Sequence, residues 1–258
     1  MKKLIFATMF IAANLMFLAC DNKQKTNGTT AENDSTEIAT ADDEVNNGFQ
    51  RGIDEIRKVW TDKTVKVDAN SNAVEIKRLA LAFCKAYPQS DGNKALREFL
   101  SSSDADEDDI EINITSRYYD YIDTYRIMCN PRNGFICSLG YIESPRRTDA
   151  CYWNRSNGHK LFAAYMEDGG ETANWDQCLV VFYDYDPATH IMTPEPALTK
   201  MIEKRVKDYT CYSVELPEEG KDIHVNAAIP FDGEEEDDPG YVDVFELEWN
   251  GTTFVWKD

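Results

Sequence analysis

The C-terminal stretch Phe245-Glu246-Leu247-Glu248-Trp249-Asn250-Gly251-Thr252-Thr253-Phe254-Val255-Trp256 decides the fold class. Apolar and acidic residues alternate up to the Asn-Gly pair, so Phe245, Leu247 and Trp249 share one face of a strand while Glu246 and Glu248 share the other. Asn-Gly is a favoured two-residue hairpin turn because both residues tolerate positive φ. Taken as the central pair, it sets Leu247 opposite Phe254 and Phe245 opposite Trp256. Val255 is then the one apolar residue on the polar face. An apolar-in, polar-out hairpin is the unit of an antiparallel sheet with one face covered.

Toward the N-terminus the same unit recurs. Ile110, Ile112 and Ile114 alternate with Glu111 and Asn113, and Asn-Gly pairs stand at 133–134 and 157–158 between β-rich runs. With Asn157-Gly158 as a central pair, Trp153 faces Phe162 and Tyr152 faces Ala163. At Asn130-Pro131-Arg132-Asn133-Gly134 two loops compete. A two-residue turn sends Cys129 and Cys137 to opposite faces, whereas an odd loop centred on Asn133 sets them directly opposite, close enough for a cross-strand disulfide. Cys178–Tyr185 is an apolar strand, and Asp186-Pro187-Ala188-Thr189 turns the chain back through Ile191 and Met192. Leu198, Met201, Ile202 and Val206 space a short helix, and Tyr209–Leu216 and Asp222–Ile229 are strands around Pro217-Glu218-Glu219-Gly220. Hairpin follows hairpin without helix-strand alternation. The expectation is an α+β fold in which residues 110–258 form an antiparallel β-meander of roughly eight to eleven strands.

Residues 48–103 are expected to be helical, completing a single domain over 48–258. Phe49, Ile53, Ile56 and Trp60 form one amphipathic stripe, and Ile76, Leu79, Ala80, Phe83 and Tyr87 form another that Pro88 ends. Asn72 followed by Glu75 has the pattern of a helix N-cap. Leu96, Phe99 and Leu100 mark a third helix over Asn93–Leu100. The run Asp104–Asp109 alternates like a calcium loop, but Asp109 stands where the turn glycine belongs and Thr115 where the closing glutamate belongs. It reads as a solvated loop.

Ahead of the domain, Lys2 and Lys3 precede a run that is apolar from Leu4 to Ala19 apart from Thr8 and Asn14. The run is shorter than the ~20 residues a spanning helix needs, so residues 1–20 read as a signal peptide. Phe17-Leu18-Ala19-Cys20 resembles the lipobox of bacterial lipoproteins, departing from it at Phe17 and Leu18. The resemblance implies acylation of Cys20, insertion of its acyl chains into a lipid bilayer, and export to the periplasmic or cell-surface side. Residues 21–47 carry Ile38 and Val45 as their only large aliphatics and read as a disordered tether with a reach of roughly 30 Å.

Forty-seven acidic against twenty-seven basic residues give a net charge of −20, which repels nucleic-acid phosphates. In an exported chain the cysteines other than Cys20 can pair, and Cys129–Cys137 is the candidate bridge. No Cys-x-x-Cys pair, His-Glu-x-x-His helix, Gly-x-Ser-x-Gly elbow or Walker glycine loop occurs, so no catalytic residue, metal site or cofactor is assigned. Candidate ligand-binding residues are aromatic: Tyr118, Tyr119, Tyr121 and Tyr125, interleaved with Asp120 and Asp123, together with Trp153 and Trp175. Ring platforms beside carboxylates suit glycan or peptide ligands. The reading is a membrane-anchored envelope lipoprotein with a non-catalytic domain that binds a protein, peptide or glycan. Its alternatives are an inhibitor-like or scaffolding module and a hydrolase with paired carboxylates.

Overall fold

The computed structural model describes residues 52–115, 122–140, 146–168, 178–209, 211–229 and 241–257. The leader, Cys20, the tether, Tyr118, Tyr119, Tyr121 and Trp175 lie outside the described residues. Among the described residues four helices and twelve strands make an α+β fold with antiparallel sheets. The helices are α1 (residues 52–59), α2 (Glu75–Ala86), α3 (Asp91–Leu100) and α4 (Pro196–Val206). One sheet has eight strands in the order β1-β8-β7-β6-β5-β4-β3-β2. They are β1 (Val65–Lys66), β2 (Asp109–Thr115), β3 (Ile122–Asn130), β4 (Phe135–Gly140), β5 (Arg146–Asn154), β6 (Lys160–Asp168), β7 (Cys178–Asp186) and β8 (Ile191–Pro194). The second sheet, in the order β12-β11-β10-β9, holds β9 (Cys211–Glu215), β10 (Ile223–Ile229), β11 (Tyr241–Trp249) and β12 (Phe254–Trp256).

The expected meander thus divides into two sheets with separate cores. Helices α1–α3 cover one face of the large sheet, where Ile53, Leu79, Phe83 and Leu96 meet Ile136, Phe162, Val181 and Tyr183. The other face is covered by α4 and the small sheet, through Ile202, Val214, Val225, Leu247 and Phe254. Along β6 and β7 successive residues therefore alternate between two cores: Leu161, Ala163 and Tyr165 enter the second, Phe162, Ala164 and Met166 the first. Double coverage is why Cys178–Tyr183 is apolar throughout, since neither set of side chains meets water; Asp184 marks where the cover ends. Helix α2 starts at Glu75 with Val74 before it and no side-chain cap, so the expected Asn72 cap is absent. The Glu75 carboxylate is engaged with Lys160 at 2.9 Å and Arg78 at 3.5 Å instead of reaching back.

The turns correct the expected registers. At Asn157-Gly158 only the glycine takes positive φ (+85°), so a two-residue turn with both centres at positive φ does not form. Arg155 N–H donates to the His159 carbonyl around a three-residue loop. Trp153 then pairs with Leu161 and Tyr152 with Phe162, one residue from the expected partners. At the C-terminal hairpin Gly251 (φ +91°) and Thr252 are the centre, and Asn250 Oδ1 accepts from the N–H groups of Thr252 and Thr253. Leu247 pairs with Trp256 and Trp249 with Phe254, a slip of two that leaves every face as expected. Between β3 and β4, Asn130 pairs with Phe135 around a four-residue loop. Cys129 faces the first core beside Ile136 and Cys137 faces the second. The two thiols are free and lie on opposite faces, so the Cys129–Cys137 disulfide is not formed.

The Asp104–Asp109 run is also accounted for. The Lys77 ammonium, 5 % exposed, donates to the carbonyls of Ala105 and Glu107 and lies 3.3 Å from Asp108 Oδ1. A lysine occupies the centre of that loop, and among the described residues no group of three His, Cys, Asp or Glu side chains is arranged to hold a metal.

Candidate ligand site

In a meander, alternate connections leave from the same end of the sheet, which brings the β3–β4 and β5–β6 turns to one end of the large sheet, where the β11–β12 turn of the small sheet joins them. Ser156 N–H donates to the Gly251 carbonyl at 3.1 Å, joining the β5–β6 turn to the β11–β12 turn. The Asn133 amide donates to the carbonyls of Pro217 and Glu218, joining the β3–β4 turn to the β9–β10 loop. Trp153 Nε1–H donates to the Lys221 carbonyl at 2.9 Å and closes the ring of contacts. Between them lies a depression of about 170 Å³ lined by Arg132, Asn133, Tyr152, Trp153, Asn154, Lys221 and Trp249, with Gly134 and Gly220. Pockets that engulf drug-sized ligands run to roughly 300–1,000 Å³, so this one suits a single ring or side chain.

Each wall is fixed by its neighbours. Trp153, 4 % exposed, packs edge-on against Phe254 at 4.9 Å. The half-buried Trp249 lies 6.1 Å from Trp153 and 5.1 Å from Phe254, its ring supported from behind. Trp249 N–H donates to Asp222 Oδ1, tying that carboxylate to the backbone. Tyr152 stands over Gly134, where a Cβ would come within 2.8 Å of its ring, and the Lys160 ammonium covers its other side at 4.6 Å. Gly134 adopts φ +67°, so both the turn and the ring demand glycine there. The lining thus offers one supported indole, three side chains with amide or phenol groups, and two cations. Such a set can stack a ring and hydrogen-bond its substituents; it contains no general acid or base pair.

Of the six aromatic residues expected to bind ligand, the structure brings one to this depression. Trp153 lines it, although mostly as a buried support. Tyr125 is a core residue, 0 % exposed among the first cluster, its ring against Gly140, so it offers no platform; this corrects the expectation. The β-rich sequence around Tyr125 placed it on the helix-covered face, where aromatic rings pack. Tyr118, Tyr119, Tyr121 and Trp175 lie outside the described residues.

Three polar clusters elsewhere invite comparison. Arg146 reaches Asp123 at 2.7 Å and Asp91 at 3.9 Å, all three at or below 4 % side-chain exposure, and burial pushes the Asp123 carboxyl up. On the opposite face Arg147 forks onto Asp149, and Tyr165 O–H donates to Glu167 at 3.1 Å. Burial pushes Glu167 up to about 7, with Asp149 adding to the effect and Arg147 and Tyr165 opposing it. Asp149 and Glu167 are diagonal neighbours on β5 and β6, a spacing of about 7–8 Å that would suit inverting glycosidases. They are 0 % and 5 % exposed, walled in between the two sheets, so their oxygens do not face a substrate. The third cluster is partly exposed: His159 bonds Asp184 at 2.7 Å, and Arg155 bridges Asp184 and Glu195. The Asp184 hydrogen bond raises the His159 pKa, and the contacts tie the start of β6 to β7.

Arg132, Asn133, Asn154, Lys221 and Trp249 were not singled out by sequence reasoning. Part of their signal was present: each lies within four residues of an Asn-Gly turn or of Gly220, although meander parity sends only the β3–β4 and β5–β6 turns to one end. Comparison with known proteins finds no family model, no curated protein and no solved structure that matches the chain.

Proposed function

We propose that the chain is an exported, lipid-anchored protein of the cell envelope that binds a glycan at the Trp249 depression. The observation that carries the reading is the supported, half-buried Trp249 indole beside the Tyr152 phenol and the amide-bearing Asn154. A sugar ring offers a C–H face for stacking and hydroxyls for amides. The lining strands β5 and β11 are interior strands, so the site presents no free edge for adding a peptide as an extra strand. The lipobox-like end at Cys20 supports the anchor, and the composition of residues 21–47 supports a spacer between membrane and domain. The walled-in positions of Asp149 and Glu167 weigh against carboxylate hydrolysis.

The test is a glycan panel probed with the purified chain and with Trp249→Ala, each checked for an unchanged melting profile. Binding to at least one glycan is expected, weakened at least about tenfold (~1.4 kcal/mol) by the substitution. Equal binding by both proteins, or binding to peptides alone, refutes the reading.

A further inference from the structure

We infer that the glycan is acidic: the depression selects a sugar bearing a carboxylate, of the uronic-acid type, over its neutral counterpart. The inference rests on the depression being a glycan site. It comes from the charge of the lining. Arg132 and Lys221 are both exposed at the rim, and no aspartate or glutamate is among the lining residues. This occurs in a chain with 47 acidic and 27 basic residues. Neither head group makes an ion pair among the described residues, whereas Arg126, Arg147, Arg155 and Lys257 are each paired with a carboxylate.

The backbones that carry the two cations are held in place. Arg132 sits in a turn closed by Asn133 N–H to the Asn130 carbonyl, and tied across to Glu218 by the Asn130 and Asn133 amides. Lys221 is anchored through its carbonyl by Trp153. Only their charged ends remain free to meet a ligand. A guanidinium grips a carboxylate through two parallel N–H bonds, and an ammonium adds a second point charge. The acids nearest in sequence, Glu218, Glu219 and Asp222, lie outside the lining, and Asp222 is engaged by Trp249 N–H. A surface of net charge −20 repels anions in general, so an anionic ligand gains only where cations are gathered. The small volume favours one ring stacked on Trp249 with its carboxylate at the rim.

The test is calorimetric titration of the full chain in detergent with trigalacturonic acid and with its methyl ester, which keeps the rings and removes the charge. The acid is expected to bind about tenfold more tightly, with the advantage shrinking as salt is raised. In Arg132→Gln/Lys221→Gln the advantage of the acid over the ester should disappear. Equal affinities for acid and ester, or an acid preference that survives the double substitution, overturn the inference and leave the glycan site standing. If neither binds while the panel identifies a neutral glycan, the inference is likewise overturned; if the panel is empty, the glycan reading itself falls.

Discussion

Replacing Glu167 with Gln should make the protein more stable at pH 8 and leave it almost unchanged at pH 5. The carboxyl lies between the two sheets at 5 % exposure, and burial holds its pKa at about 7 against an ordinary value of 4.5. Arg147 and the Tyr165 hydroxyl pull it down but do not outweigh burial, and Asp149 opposes them. Between pH 4.5 and 7 the folded chain therefore holds a proton that the unfolded chain has released. Stability from this group falls as pH rises through that window, and the loss is complete above about pH 7. At ~1.4 kcal/mol per pH unit the gap amounts to about 3 kcal/mol. The amide introduced by Glu167→Gln keeps an acceptor for the Tyr165 hydroxyl and never ionises. Urea midpoints measured at pH 5 and pH 8 for both proteins isolate the effect, because titrating groups that do not interact with Glu167 cancel in the difference. The variant should gain up to about 3 kcal/mol at pH 8, a rise of roughly 6–12 °C in melting temperature. The same stability difference at both pH values would show that burial does not raise Glu167, and the reasoning would fail.

Other outcomes follow from the same contacts. Gly134→Ala should cost about 1–2 kcal/mol and reduce ligand affinity, because the residue is held at φ +67° and its methyl would strike the Tyr152 ring; equal urea midpoints would contradict this. Thiol reagent should leave Cys84, Cys137 and Cys151 unmodified until the chain unfolds, as all three are buried, and should attack Cys129 slowly because burial pushes its thiol up to about 11. Mass spectrometry of the oxidised protein should find no Cys129–Cys137 cross-link, and finding one would contradict the β3–β4 register. Cys20→Ser should release the protein from membranes with its domain folded, and a variant that still pellets after a high-salt wash would remove the anchor.

How much of this was legible in the residues depends on which physical rule each feature obeys. Alternation is local, so the strands around Ile112 and Leu247 and the helical stripe of α2 could be read directly. Register depends on turn geometry, which Asn-Gly constrains without fixing. The same dipeptide closes three loops of different kinds, and the resulting shifts send Cys129 and Cys137 apart and move Tyr152 opposite Phe162. The division into two sheets was hidden because β6 and β7, apolar on both faces, give no sign of which element covers which side. The candidate site was harder still. Its residues come from positions 132 to 249 and meet only through turns whose approach is a long-range property of the meander. Trp153 was found for its aromatic character, yet Trp249 is the more exposed of the two indoles.

The claim that ligand binds at the Trp249 depression is tested most directly by the indole N–H signals in a nitrogen-15 NMR titration with a glycan from the panel. The signals of Trp249 and Trp153, which line the site, should shift together and saturate with the binding isotherm, while Trp60, buried 3 % exposed under the helices, stays still. Saturating glycan binding that leaves the Trp249 and Trp153 signals unmoved would contradict the account.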